Sequence, residues 1–180
     1  NFFEAELLIY IKSLKKRDFN KTSENLLNLE RYNKAGNYEY IIYDTLRIYN
    51  NLFLKSVFTE SEKKYGNFSL INDAFQNCYL NNTKTNSYFE NLINLKDGDY
   101  SRYLFFYLSN LIENKKFQSA IQLSDEVSYL NSSLLLSQSK QWINNKEFHR
   151  FSQHFSCSNE TDIVAEFFFL ISNLYSSQKE

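Results

Sequence analysis

The sequence predicts an all-α protein, an α-solenoid of about eleven helices arranged as antiparallel hairpins. Three observations predict this fold. Pro is absent, the three glycines recur at nearly equal intervals, and the stretches between them carry apolar residues at helical spacing. No run of short alternating segments bounded by turn residues occurs, and this argues against a β-sheet.

The glycines share one local setting, because each is followed by Asn or Asp and then by an aromatic residue: Gly36, Gly66 and Gly98. This setting is typical of a helix that ends on a left-handed Gly, followed at once by a helix with an Asn or Asp N-cap. The spacings of 30 and 32 residues lie in the range of repeat proteins. A second set of predicted helix junctions lacks Gly and lies about half a repeat length from the Gly junctions. These junctions mark turns inside the repeats, at Phe19, Phe117 and Phe148.

The stretches between the junctions have helical periodicity, as at Leu104, Tyr107, Leu108 and Leu111 (i, i+3, i+4, i+7). Ser87 and Glu90 have the spacing of a capping box, which predicts a helix start there. The predicted helices span residues 2–17, 19–35, 38–54, 56–65, 68–81, 87–97, 100–114, 117–130, 133–145, 148–157 and 162–178.

Charge places two limits on function. The net charge of −1 argues against nucleic-acid binding, which normally requires a basic excess. The basic clusters, such as 15–17 and 115–116, fall at predicted helix C-termini, where cations oppose the negative end of the helix dipole.

The apolar runs are far shorter than the roughly 20 residues needed to span a bilayer, so no membrane insertion is expected.

The two cysteines, Cys78 and Cys157, form no CxxC pair. A disulfide and a zinc site are both disfavoured, and free buried thiols are expected. His149, His154 and Cys157 form the one metal-like cluster in the sequence, and ordinary polar positions are the expected interpretation. No cofactor is expected. The sequence does not predict the cellular compartment, since cytoplasmic and periplasmic locations both suit a chain with few cysteines.

Catalytic motifs are absent from the sequence. It contains no phosphate-binding loop, nucleophile elbow or HExxH motif, and its adjacent carboxylates point in different directions on a helix. The chain is therefore expected not to be an enzyme.

Period, paired helices and residue pattern together resemble the tetratricopeptide repeat family. In residues 101–132, the large and small positions of the first helix are filled by Leu104, Tyr107, Leu108 and Leu111, and Ala120 takes the small position of the second helix. In the closing segment, the same positions are filled by Phe168, Ile171, Ser172 and Tyr175. The Pro that often closes such a repeat is missing.

The resemblance predicts a single solenoid domain over residues 1–180, with irregular hairpins in 1–100 and clearer repeats in 101–180. The segment 165–180 covers a first helix and stops where the next turn aromatic is due. This predicts a fragment of a longer repeat protein that ends in mid-repeat.

By resemblance, the function is a non-catalytic interaction scaffold that binds a peptide or a partner helix on its concave face. The side chains expected to face this partner are Arg102, Phe105, Ser109, Glu113, Ser133, Leu136, Lys140, Phe169 and Asn173. Phe105 and Phe169 are candidate hot spots, with packing against neighbouring helices as the alternative. Two other functions remain open: a structural subunit of a large assembly, and a pentatricopeptide-type RNA binder, which the net charge disfavours.

Overall fold

The computed structural model describes residues 2–32, 38–61, 66–96, 99–126 and 133–177. These ranges contain ten helices and no strand, which confirms the all-α prediction. The helices are α1 (Phe2–Lys15), α2 (Phe19–Glu30), α3 (Tyr38–Lys55), α4 (Asn67–Tyr79), α5 (Thr85–Ile93), α6 (Arg102–Glu113), α7 (Phe117–Glu126), α8 (Leu134–Asn144), α9 (His149–Ser152) and α10 (Glu160–Ser177).

The helix predicted over 56–65 is wrong for its described part. Residues 56–61 are not helical, because Ser56 ends α3 in the left-handed region at φ +52°. Buried Gln76 then holds the segment: its side chain accepts from the Thr59 N–H at 2.9 Å and donates to the Thr59 carbonyl at 3.1 Å. The predicted helix 148–157 is also too long, since α9 ends at Ser152.

The predicted capping box at Ser87 and Glu90 is wrong as well. Helix α5 begins at Thr85, and the Ser87 hydroxyl donates to the Lys84 carbonyl inside the first turn. The Glu90 carboxylate instead accepts a hydrogen bond from the Tyr107 hydroxyl at 2.7 Å. The Glu90 carboxylate therefore binds a residue distant in the sequence and does not cap the N-terminus of α5.

Several helices end on a non-glycine residue in the left-handed region: Arg17, Asn81, Lys115 and Lys146. After α6, the Lys115 N–H donates to the Ile112 carbonyl and the Lys116 N–H to the Leu111 carbonyl, which is the Schellman pattern. The prediction that basic clusters lie at helix ends is confirmed at Arg17, Lys115 and Lys146. Gly66 adopts the predicted left-handed conformation at φ +55°, and α4 begins directly after it at Asn67, the residue predicted as its N-cap; Gly36 and Gly98 lie outside the described residues.

The chain divides into two compact units. Unit 1 comprises residues 1–76 and 160–180, and unit 2 comprises residues 77–159. In unit 1, α1 packs on α2 and α2 on α3, while α10 returns from the other end of the chain to pack on α3 and α1. Solenoid repeats contact their sequence neighbours. The return of α10 therefore departs from simple nearest-neighbour stacking within this unit.

Polar side chains run through the interior of unit 1. The Tyr49 hydroxyl donates to Asn72 Oδ1 at 2.8 Å, and the Asn72 amide reaches Thr45 Oγ1 at 3.4 Å. Where α1 ends and α10 begins, the Arg17 guanidinium pairs with the Glu160 carboxylate at 2.7 Å. These bonds satisfy groups that would otherwise be costly to bury, and they favour one packing arrangement.

Unit 2 is built around α6, which packs against α5, α7, α8 and α9. Its interior is aromatic: Phe105 stacks on Phe151 at 5.7 Å, and Phe106 lies 4.4 Å from Phe155, measured between ring centroids. Trp142 meets Phe151 edge to face at 5.4 Å. Large rings of this kind supply most of the buried apolar area of a small core.

The expectation of free thiols is wrong, because Cys78 and Cys157 form a disulfide. Cys78 lies in the last turn of α4, and Cys157 lies in the loop between α9 and α10. Both residues are buried, and their Cα atoms are 5.6 Å apart although 79 positions separate them in the sequence. Sequence spacing does not reveal such a pair, since the fold alone brings the two thiols together.

Candidate interaction surface

The structure buries three of the residues predicted to face a partner: Phe105, Ser109 and Leu136, which are at most 2% exposed. The expected exposure of Phe105 is therefore wrong. Its ring lies between Phe151 and Phe106 in the core of unit 2. The Ser109 hydroxyl donates to the Phe155 carbonyl at 3.0 Å and so fixes the loop after α9.

Four other members of the predicted set lie at the edge of unit 2. Arg102, Glu113 and Lys140 are half-buried. The Arg102 guanidinium carbon lies 5.4 Å from the centre of the Phe106 ring, a distance typical of a cation–π contact. Ser133 is the N-cap of α8, where its hydroxyl accepts from the Leu136 N–H at 3.3 Å. These contacts give Arg102 and Ser133 structural roles.

Phe169 and Asn173, both on α10 in unit 1, are exposed as predicted, and 43% of Phe169 is accessible. The other exposed residues on this face of α10 are small: Ala165, Ser172 and Ser176. An aromatic ring among small neighbours stands out from a flat helix surface, as an anchor for a partner pocket does. The predicted position of Tyr175 lies outside the side chains that the structure describes.

The sequence interpretation missed the outer face of α1. Phe2, Leu8 and Ile9 are 77%, 68% and 47% exposed, while Phe3, Tyr10 and Leu14 on the opposite face are buried. Helix α1 is therefore apolar on two sides. The signal lies in the apolar run at residues 7–10, because four consecutive residues are spread around most of the helix circumference and cannot all lie on one buried stripe.

Exposed apolar residues are concentrated in one unit. Nine of the eleven exposed large apolar side chains in the described part of the chain belong to unit 1: Phe2, Leu8, Ile9, Leu27, Leu54, Val57, Leu70, Phe169 and Leu174. Unit 2 contributes Phe117 and Leu134. Isolated exposed apolar residues need no explanation, but concentration on one part of a protein is typical of an interaction surface.

A polar cavity of about 300 Å³ lies within unit 2. Amide, hydroxyl and carboxylate groups line it beside the disulfide: Tyr79, Asn81, Asn110, Glu113, Asn114 and Ser158 join Cys78. The Asn114 amide donates to Asn110 Oδ1 at 3.1 Å and to the Asn110 carbonyl at 2.9 Å. The first of these bonds holds the Asn110 side chain, whose Oδ1 lies 3.4 Å from the Cys78 sulfur.

Two tyrosines have strongly perturbed hydroxyl groups. Burial raises the pKa of Tyr10, whose hydroxyl lies 3.5 Å from the Leu46 carbonyl. Burial, and then the hydrogen bond to Glu90, raises the pKa of Tyr107. Both hydroxyl groups are held neutral in packed surroundings, and neither residue lines the cavity.

The metal-like cluster of the sequence is not available as a ligand set, because Cys157 is in the disulfide. The His154 ring packs 4.9 Å from Trp142, and its Nδ1 lies 3.0 Å from the Arg150 carbonyl. Over the described ranges, no three His, Cys, Asp or Glu residues are grouped so that they could hold a metal ion. Nor does any helix in those ranges combine the length and apolarity needed to cross a membrane.

Comparison of the chain with protein-family models, with curated proteins and with solved structures found no match.

Proposed function

We propose that the chain is a non-catalytic interaction scaffold and that unit 1 carries the surface that binds another protein. The observation that carries this proposal is the concentration of exposed apolar side chains in unit 1. Apolar side chains on a surface bind by release of water, and a few large ones supply most of the affinity of an interface. The partner would therefore present a complementary apolar helix or groove.

Helices α1 and α10 form the centre of this proposed surface. They pack on each other within unit 1, and each presents large apolar groups to solvent. Phe169 and Asn173 remain the proposed contacts from the predicted set, and Leu8 and Ile9 join them. The buried residues Phe105, Ser109 and Leu136 support the surface of unit 2 and are not proposed as contacts.

The tetratricopeptide-like character is part of this proposal. The positions that the resemblance assigns to packing are buried in unit 2: Leu104, Tyr107, Leu108, Leu111 and Ala120. The two turn aromatics Phe117 and Phe148 stack at 4.6 Å, as equivalent turns of neighbouring hairpins would. These contacts support helical hairpins of repeat type in residues 101–159.

A binding role is also favoured over catalysis by where the perturbed groups lie. Active sites usually place residues with shifted pKa values in a cleft. Here burial explains the raised pKa of Tyr10, and burial together with the hydrogen bond to Glu90 explains the raised pKa of Tyr107.

Differential capture tests the proposal. The wild-type chain and the variants Phe169→Asp and Leu8→Asp would be immobilised and exposed to extract of the source cells, and bound proteins would be quantified by mass spectrometry. A charge placed at an apolar anchor should lower capture of a specific partner about tenfold or more. The matched control is Leu134→Asp, which changes a 75% exposed leucine of unit 2 and should leave capture unchanged. Equal loss in the control would contradict the assignment to unit 1.

The second candidate function is a structural subunit of a larger assembly, favoured by the two apolar sides of α1. In that case the chain would be a fixed component with no exchangeable ligand. Mass measurement in solution separates the two functions. A monomer that remains stable over a wide concentration range counts against the subunit and favours the scaffold.

A further inference from the structure

We propose that the Cys78–Cys157 disulfide is a site of thiol–disulfide exchange, which small thiols enter through the polar cavity of unit 2. The cavity of about 300 Å³ is large enough to admit a small thiol, and it contacts Cys78 directly. The proposal is independent of the proposed interaction surface, since every residue it uses lies in unit 2.

The geometry selects one of the two sulfurs for attack. Both cysteines are buried, at 5% and 3% exposure, but Cys78 lines the cavity and Cys157 does not. Phe155, two residues before Cys157, is held against Phe106 and by the Ser109 hydroxyl. An incoming thiolate therefore meets the sulfur of Cys78 first, and Cys157 is the leaving group.

The exchange runs in two balanced steps. A thiolate attacks the Cys78 sulfur and forms a new S–S bond, while the Cys78–Cys157 bond breaks and its electron pair leaves on Cys157, which takes a proton from water. A second thiol then attacks the added sulfur and releases the small-molecule disulfide. In sum, one protein disulfide and two thiols give two protein thiols and one small disulfide.

The surroundings also suit the reduced state. Asn110 Oδ1 lies 3.4 Å from the Cys78 sulfur and can accept the hydrogen of a Cys78 thiol. In the disulfide, the same sulfur carries no hydrogen, so the contact becomes a hydrogen bond only after reduction. Asn114 holds the Asn110 side chain in place through its own amide. The acceptor is thus already positioned for the thiol.

Reduction would act on the whole of unit 2. Cys78 and Cys157 lie one and two residues inside the limits of the unit, which spans 77–159. The disulfide therefore ties the point where the chain enters the unit to the point where it leaves. Its cleavage removes that covalent closure, while the contacts of Phe155 with Phe106 and Ser109 still hold the loop.

The cavity also sets a charge preference. Glu113 brings a carboxylate to its lining, so anionic thiols should enter more slowly than cationic ones. At equal thiolate concentration, cysteamine should react faster than glutathione. The substitution Glu113→Gln should reduce the difference in exchange rate between cysteamine and glutathione.

The test is trapping of the first exchange step in the native protein. The oxidised chain would be exposed briefly to cysteamine, quenched with an alkylating agent and mapped by peptide mass spectrometry. We expect cysteamine on Cys78 and the alkyl group on Cys157, in about tenfold excess over the reverse pattern. Protein in concentrated urea is the control, because both sulfurs are then open to attack and the excess should disappear.

Two matched variants test the route. Ser158 lines the cavity and is exposed, so Ser158→Trp should fill the entrance and slow exchange about tenfold. Ser152 is exposed on α9 and does not line the cavity, so Ser152→Trp should leave the rate unchanged.

Three results would overturn the proposal: equal labelling of both sulfurs in the native protein, exchange no faster than global unfolding, or identical rates in the two tryptophan variants. Free thiols on both cysteines of the protein as isolated under air would overturn it as well.

Discussion

The two units hold distant parts of the chain together by different means. Unit 2 closes its ends with the Cys78–Cys157 disulfide around an aromatic interior. Unit 1 joins α10 to the N-terminal helices without a covalent bond. It uses the Arg17–Glu160 ion pair and the packing of Phe167 against Tyr49 and Phe68.

This difference matches the distribution of exposed apolar side chains. Unit 2 buries its large rings and exposes two large apolar side chains in its described part, whereas unit 1 exposes nine. In the described residues both units bury polar side chains, eleven in unit 1, including Gln76, Asn72 and Thr45, and six in unit 2. The exposed apolar side chains of unit 1 are what supports the interaction surface proposed there.

The largest expected effect comes from the double variant Cys78→Ala, Cys157→Ala. Removal of a crosslink that closes 79 residues should lower the free energy of unfolding of unit 2 by about 4 kcal/mol. A denaturant titration in which hydrogen exchange at the amides of α6 reports unfolding measures this change. Wild-type protein under a reducing agent is the control and should show the same loss. A variant as stable as the oxidised wild type would show that the aromatic interior alone closes unit 2.

The next effect tests the polar interior of unit 1. Gln76→Leu removes both hydrogen bonds to Thr59 and should cost about 2 kcal/mol, because the backbone groups of Thr59 lose their partners. Thermal unfolding measures the loss. Gln122→Leu, on the exposed face of α7, is the control and should change stability by less than about 0.5 kcal/mol. If both variants behave alike, the polar bonds do not distinguish unit 1.

Tyr10 makes unit 1 sensitive to alkali. Its folded-state pKa is raised above the ordinary value of 10.0. The neutral hydroxyl therefore contributes its full share of the free energy of unfolding below about pH 10, and this share is lost as pH rises toward the folded pKa. Over that range, stability should fall by about 1.4 kcal/mol per pH unit from this residue alone.

Tyr10→Phe removes this ionisation and only one long hydrogen bond, at 3.5 Å. The variant should therefore match the wild type within about 1 kcal/mol near pH 9 and exceed it near pH 11, as measured by urea titration at both values. Parallel curves for the two proteins across this range would contradict a buried, neutral Tyr10.

The smallest effect compares one helix end from each unit. Lys115 and Arg17 both adopt left-handed backbone, at φ 58° and 55°. Lys115→Gly should stabilise by about 0.5–1 kcal/mol, because Gly adopts this conformation without steric cost. Arg17→Gly gains the same relief but removes the ion pair from the buried Glu160 carboxylate, so it should be net destabilising. Equal stabilisation by the two substitutions would mean that the ion pair contributes nothing to unit 1.

The candidate site was predictable only in part. Phe169 and Asn173 are exposed as their helical positions predict, because the outer face of α10 follows from periodicity. Phe105 is buried although its position looks outward from the core of a single hairpin, since α9 supplies Phe151 to cover it. A hairpin pattern does not report which helix packs on its other side.

The sequence by itself determined most of the helices and most of their ends, the exceptions being the segment 56–61, which is not helical, and the length of α9. These features depend on hydrogen bonds between residues at most five positions apart, as in the Schellman turn at Lys115 and Lys116. The helical spacing of Leu104, Leu108 and Leu111 likewise predicted one buried face of α6, although the structure buries every residue from Tyr103 to Ile112.

The tertiary structure alone decided the disulfide, the return of α10 and the role of Glu90. Each depends on contacts between groups far apart in the sequence, 79 residues for the two cysteines and 143 for Arg17 and Glu160. Local propensity carries no information about such pairs, because it is the packing of whole helices that brings them together.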